Sequence, residues 1–402
     1  MLVLAAVGST LPAQAHGPAP AALGVATHPS DTTPAIVRLS RGVALQQDDG
    51  WQYVCPAAWN GPEAPLCTAA GYKDIPWLVS TTGLRRVLGD GTTRFVEGSE
   101  QVTSATVRSM VPWKTSVIAL TGFGKPSTLW QLSGNTVTPI WQPDSTWQTI
   151  VGHGEQVVAA AIQSGQLALA FVSFQDAEPT VSFHMVGEGL EGTPSLRSAG
   201  GALFVRLHNE DQFTLYRLDE VPTLSFVVSS PEPIHGPIGG EGDNPLFISL
   251  HHQMATLGPS GAVPWENDER ITCLGSDGND KLYACVFPNL VTILPVGQLG
   301  APLFELTHLR PPVIGVLTEG QQALCELDWL DFASDAGLPL KGLTGDVLTD
   351  TTGSPGPSKS SGCQQHDSSS LNALFVLIAG MWGLFAIRRR RLPAPKDGLQ
   401  DP

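Results

Sequence analysis

The chain of 402 residues is long enough for one large domain or two ordinary ones, and its 42% hydrophobic content excludes global disorder. Lys and Arg number 22 against 37 Asp and Glu, a net charge of −15, so the basic footprint of a nucleic-acid binder is missing and no nucleic-acid partner is expected. Gly and Pro, 43 and 33 residues, suit many short strands joined by tight turns.

The first 15 residues, MLVLAAVGSTLPAQA, hold a short apolar core and end in Ala13-Gln14-Ala15, an A-x-A pattern that reads as a secretory signal peptide. Residues 16–32 form a lead-in. Apolar runs beyond it are short: 35–39, 116–120, 157–162, 167–172, 202–207 and 281–287 are each about strand length, with turn residues nearby. They group into units of about 40 residues, at 33–72, 73–103, 104–146, 147–192, 193–233, 234–270 and 271–306. A single four-stranded sheet cannot bury both faces alone, whereas blades stacked around an axis bury one another. The expected fold is all-β, a single β-propeller of six to eight blades with seven favoured, over 33–345 including a closing segment. A pair of β-sandwiches is the rival.

Residues 346–370 are rich in Ser, Thr, Gly and Pro and form a flexible linker. Leu371 to Ile387 is apolar and uncharged, at the short end of the roughly 17–25 residues that span a bilayer. Arg388, Arg389, Arg390 and Arg391 follow at once, which holds 388–402 in the cytoplasm and the bulk of the chain outside. Localisation at the cell surface is expected.

An exported chain meets an oxidising compartment, so disulfides are permitted. Cys55 and Cys67 are twelve positions apart, as are Cys273 and Cys285. The simplest pairing is two local bridges, Cys55–Cys67 and Cys273–Cys285, leaving Cys325 over. A long-range closure through Cys325 stays open, because connectivity is not deducible from spacing. Neither pair has C-x-x-C spacing or a neighbouring histidine at ligand distance, so zinc is not expected.

Candidate chemistry is sparse. Tyr216 has Arg217 beside it, but strand neighbours point to opposite faces, and a cross-strand ion pair is the plainer reading. By the same rule His251 and His252 alternate across a strand and cannot chelate one metal. His153 and His235 read as solvated turn residues. The acidic glycine loops 239–244 and 276–280 offer oxygens for calcium but miss the EF-hand register, and polar hairpin tips explain them; no cofactor and no metal are expected. Trp51, Trp59, Trp77, Trp113, Trp130, Trp141, Trp147 and Trp265 suit either a sugar-stacking face or the wedges between blades, and core packing is favoured. No catalytic residue is assigned.

Two resemblances add to this reading. Gly362-Cys363, a polar spacer, one hydrophobic helix and an Arg cluster resemble the MYXO-CTERM sorting signal of myxobacteria and related predatory bacteria, over about the last 40 residues. The resemblance implies processing at Cys363 by a myxosortase-type protease and lipid attachment to that cysteine, so the membrane is reached through the helix or a lipidated Cys363. Leu392 to Pro402 extend past the arginines, where such signals commonly stop. Separately, Asp48-Asp49-Gly50-Trp51 resembles a degenerate Asp-box of the sialidase-like BNR propellers, lacking the leading Ser. An Asp-box stabilises a hairpin tip and implies nothing about activity. The layout is similar to exported propeller proteins of myxobacteria-like organisms. The expected function is a surface-anchored, non-catalytic binding module of the outer envelope, with an extracellular glycan or protein as ligand. The alternative is a secreted surface glycoside hydrolase or other polymer-degrading enzyme, which needs two carboxylates within about 5–10 Å at the central channel.

Overall fold

The computed structural model describes residues 20–27, 34–47, 50–61, 67–68, 77–88, 92–114, 116–123, 126–174, 179–218, 223–240, 245–258, 261–266, 269–276, 281–294, 297–313 and 317–339. All belong to the unit that ends at Gly345. The expected signal peptide, the sorting residues Gly362 and Cys363, the segment from Leu371 to Ile387 and the arginines 388–391 lie outside them, as do Asp48, Asp49 and most of the two acidic loops.

Among the described residues the strands form seven sheets, the blades of one β-propeller. Blades 1 to 7 span 22–54, 67–95, 107–141, 149–186, 193–230, 235–264 and 271–304, each an antiparallel meander of four strands. The first strand of each blade touches the first strand of the next, from blade 1 round to blade 7 and back, so these seven strands surround the axis. The period seen in the sequence is thus one blade. The first blade opens at Ala22, ahead of the expected start at 33, because the lead-in supplies its inner strand, Ala22–Thr27.

Blade 4 shows why the chain folds this way. Its second and third strands, Gln156–Gln163 (QVVAAAIQ) and Gln166–Ser173 (QLALAFVS), are apolar without a break because neighbouring blades cover both faces. Alternation persists underneath. Val157, Ala159 and Ala161 join the cluster shared with blade 3, while Val158 and Ala160 join the cluster shared with blade 5. Ser164-Gly165 turns between them with φ of 51° and 76°, the left-handed pair that a two-residue hairpin requires. The tryptophans are wedges. Trp113 and Trp147 pack between blades 3 and 4, and Trp77 and Trp130 between blades 2 and 3. Trp51 and Trp59 are also buried, with Trp141 and Trp265 half-buried against neighbouring clusters.

Closure is made on the outside. Blade 1 takes its four strands from the N-terminal end, and Leu309–Arg310 then adds in parallel to its outer strand, Gly50–Val54. The seam with blade 7 is drawn by Ala22 N–H donating to the Pro288 carbonyl at 2.9 Å and by the Trp51 indole donating to the Leu303 carbonyl at 3.1 Å. The helix α1 (Glu319–Asp335), opened by a capping box between Thr318 and Gln321, then packs on the short 3-10 turn Pro56–Trp59. Cys325, on α1, bonds Cys55. The local Cys55–Cys67 bridge expected from equal spacing is therefore wrong: folding brings the two ends of the ring together, and Cys55 and Cys325 lie 5.5 Å apart at Cα. Cys273–Cys285 forms as expected, directly across neighbouring strands of blade 7.

Candidate functional site

The seven inner strands read ALGVAT, CT, VRSMVPW, TIVGH, TPSLRSA, HGPIG and ITCLGS, and none carries Asp or Glu. The two-carboxylate arrangement required of the hydrolase alternative is absent from them. What gathers around the axis instead is positive charge in an acidic protein.

Arg197 lies on the inner strand of blade 5, Thr193–Ala199, with its side chain open to water although protein surrounds it. Arg206 follows on the second strand of that blade, opposite Ser195. Its Nε donates to Ser195 Oγ at 3.0 Å and its Nη1 to the Ile234 carbonyl at 2.5 Å, which locks it against blade 6. Arg38 comes from the second strand of blade 1, opposite Gly24 of the inner strand. The Arg38 guanidinium lies over Gly24, where an added Cβ would make an ordinary contact with it at 3.7 Å. Arg38 Nη2 donates to the Leu23 carbonyl at 3.3 Å, while its Nε is buried without a partner. Among the described residues no carboxylate makes an ion pair with Arg38, Arg197 or Arg206.

The electrostatics follow. Desolvation and then the nearby Arg38 charge lower the pKa of Arg197; desolvation and then Arg197 lower that of Arg206. A guanidinium keeps its proton in proteins, so Arg197 and Arg206 stay charged. His235, first residue of the inner strand of blade 6, is pushed down to about 4 by burial, then by Arg206, His252 and Arg197. It is neutral at physiological pH. His153, at the end of the inner strand of blade 4, shares a 2.9 Å hydrogen bond with Ser198, the neighbour of Arg197, and burial lowers its pKa as well.

Two expectations need correction here. His153 and His235 are not free turn residues but strand residues held between blades. His251 and His252 do not alternate along a strand: with φ of 50° and 61° they form the two-residue turn between Leu250 and Gln253, and both rings approach Glu232, at 3.7 and 3.8 Å. A tight turn removes the alternation that strand geometry would impose. Tyr216 sits on the third strand of blade 5, half-buried and edge-on to Phe226, away from the inner strands. Gly50 and Trp51 of the Asp-box-like turn open the outer strand of blade 1. Among the described residues no group of three or more His, Cys, Asp or Glu is gathered for a metal.

Sequence reasoning missed the arginines. Their one legible signal is the position of Arg197 in the first strand of its unit; the approach of Arg38 from a blade far away in sequence left no local mark.

No protein-family model matches the chain, and no curated protein matches it. Among solved structures the chain is similar to apo AztD from Citrobacter koseri, at 9% identity, over 68% of this chain and 81% of that one, with a TM-score of 0.41. It is also similar to a quinonprotein alcohol dehydrogenase-like protein from Bacteroides thetaiotaomicron, at 12% identity over 66% and 82% with a TM-score of 0.38. Hsv2 of Kluyveromyces marxianus gives 7% identity over 68% and 91%, with a TM-score of 0.40. Likenesses this distant carry no functional argument, and the assignment of a seven-bladed propeller rests on the strand pairing itself.

Proposed function

We propose that the protein is a non-catalytic binding module, exported and held at the cell surface, whose ligand enters the central channel. The observation that carries this reading is the chemistry of the inner strands: no carboxylate on any of the seven, and three arginines with no acidic partner converging from blades 1 and 5. Glycoside hydrolysis by the common route needs an acid and a second carboxylate astride the bond. Arginines supply neither a general base nor a nucleophile at neutral pH, but they hold a ligand well. Anchoring is read from the sequence of 362–391, with Cys363 or the apolar segment as the attachment.

Two measurements test the two halves. Intact mass of the protein from native envelopes reads the anchor. A mass ending near Cys363 with added acyl groups supports lipid attachment, and a mass running to Pro402 removes the myxosortase step. Incubation of the full chain with a panel of labelled bacterial and plant polysaccharides reads catalysis. Release of reducing ends above the blank would replace the binding reading with the hydrolase alternative.

A further inference from the structure

We infer that Arg38, Arg197 and Arg206 form a binding site for an oxyanion, the phosphate or carboxylate group of a ligand seated in the central channel. The inference deepens the binding-module reading and rests on it. Three observations carry it. First, Arg197 stands on the inner strand of blade 5, Arg206 lies opposite Ser195 of that strand, Arg38 lies opposite Gly24 of the inner strand of blade 1, and nothing on the inner strands neutralises their charges. Second, the cluster is built rather than accidental. Arg206 is fixed by two hydrogen bonds to Ser195 and Ile234, and Arg38 is anchored on Leu23 across a glycine. Third, donors remain unspent. The Arg197 guanidinium makes no hydrogen bond among the described residues and is open to solvent. A planar guanidinium fork matches the paired oxygens of carboxylate and phosphate.

His235 belongs to the same wall. The charged groups facing it are Arg197 and Arg206 from blade 5 and His252 from its own blade, with Glu232 beside His252; the adjoining inner strand of blade 7, Ile271–Ser276, brings none. A bound anion offsets the two arginines and favours the imidazolium, so binding tightens as pH falls.

The test is calorimetry on the full-length chain with inorganic phosphate, galacturonate and glucose, each against sodium chloride of equal ionic strength. R197Q and R197K are run beside the wild type. Expected is saturable binding of phosphate or galacturonate, weakened at least tenfold in R197Q and largely kept in R197K. Which anion binds more tightly tells whether the natural group is a phosphate or a carboxylate. Melting without ligand checks the fold, and R197Q is expected to melt at or above the wild-type temperature because a repelling charge is gone. Sulfate, whose charge is constant over this range, is expected to bind more tightly at pH 5.5 than at 7.5, and less steeply so in H235N. Absence of binding by both anions, or equal binding by R197Q, overturns the oxyanion site. Glucose binding alone overturns it too and leaves the binding module standing. Polysaccharide cleavage in the separate assay is what would overturn the module.

Discussion

The phenol of Tyr53 donates to Oδ2 of Asp328 at 2.5 Å, joining the outer strand of the first blade to the helix that follows the last. Arg41 Nε lies 3.4 Å from the other oxygen of the same carboxylate. Trp329 and Phe332 flank the Tyr53 ring at 5.4 and 4.9 Å, and the Cys55–Cys325 bond lies two positions on from Tyr53. Blade 1 therefore depends on a clasp applied from outside, where the two-residue C-terminal strand Leu309–Arg310 is reinforced by a helix, a disulfide and a charged hydrogen bond.

The clasp should be worth a large part of the stability. A cross-link closing a loop of 270 residues restricts the unfolded chain by roughly 5 kcal/mol in the chain-entropy view, and removing native disulfides costs about 2–5 kcal/mol. C55S and C325S are expected to lower the melting temperature by similar amounts, and the double variant C55S/C325S by little more than either. Non-reducing peptide mapping that joined Cys55 to Cys67 would contradict the whole arrangement.

Y53F removes the hydrogen bond and keeps the ring. Bonds to charged groups contribute about 1.5–3 kcal/mol, so denaturant unfolding should show a loss in that range. A loss of similar size is expected for D328N, since the ion pair between Arg41 and Asp328 is weakened as well.

His235 makes stability fall in acid. Its native pKa is depressed to about 4 from the ordinary 6.5, so the unfolded state binds the proton more readily. The stability it contributes is complete above about pH 6.5 and is lost progressively as pH falls toward 4, up to about 3 kcal/mol. Denaturant titrations at pH 7.5, 5.5 and 4.5 should give a shallower decline in H235N than in the wild type. Parallel declines would assign the effect to other groups.

The turn that follows the inner strand of blade 5 approaches blade 6 closely at Gly200, where φ is +55° and an added Cβ would meet the Gly240 carbonyl oxygen at 2.9 Å. A side chain there adds left-handed strain of about 1–2 kcal/mol to a clash with backbone in the next blade. G200A should lower the melting temperature, whereas G201A, which meets nothing within 4 Å, should carry the strain alone and cost less.

Trp147 is fully enclosed between blades 3 and 4, in a buried cluster that includes small residues such as Ala159 and Ala170. W147A opens a void that those alanines cannot fill and should cost about 3–5 kcal/mol. If the tryptophans served a sugar face, W147A would change glycan retention on affinity electrophoresis at unchanged stability; the burial predicts the reverse.

The chain's propeller was legible for a local reason. Each blade is a meander of neighbours in sequence, so apolar runs, turn glycines and the repeat length are all written within about 40 residues. Cys273–Cys285 was legible likewise, being one hairpin. Turn chemistry was read less well at His251-His252, where two bulky residues take a left-handed turn usually marked by Asn or Gly.

What the sequence determined by itself is therefore the kind of fold, its repeat and the burial of its tryptophans, since these depend on patterns of near neighbours. The tertiary structure alone decided that Cys55 bonds Cys325 across 270 positions, that Arg38 approaches Arg197, and that Arg197 and Arg206 approach His235. Ring closure is the physical reason: it brings together residues from blades remote in the chain, and the charge they share exists only once the ring has formed.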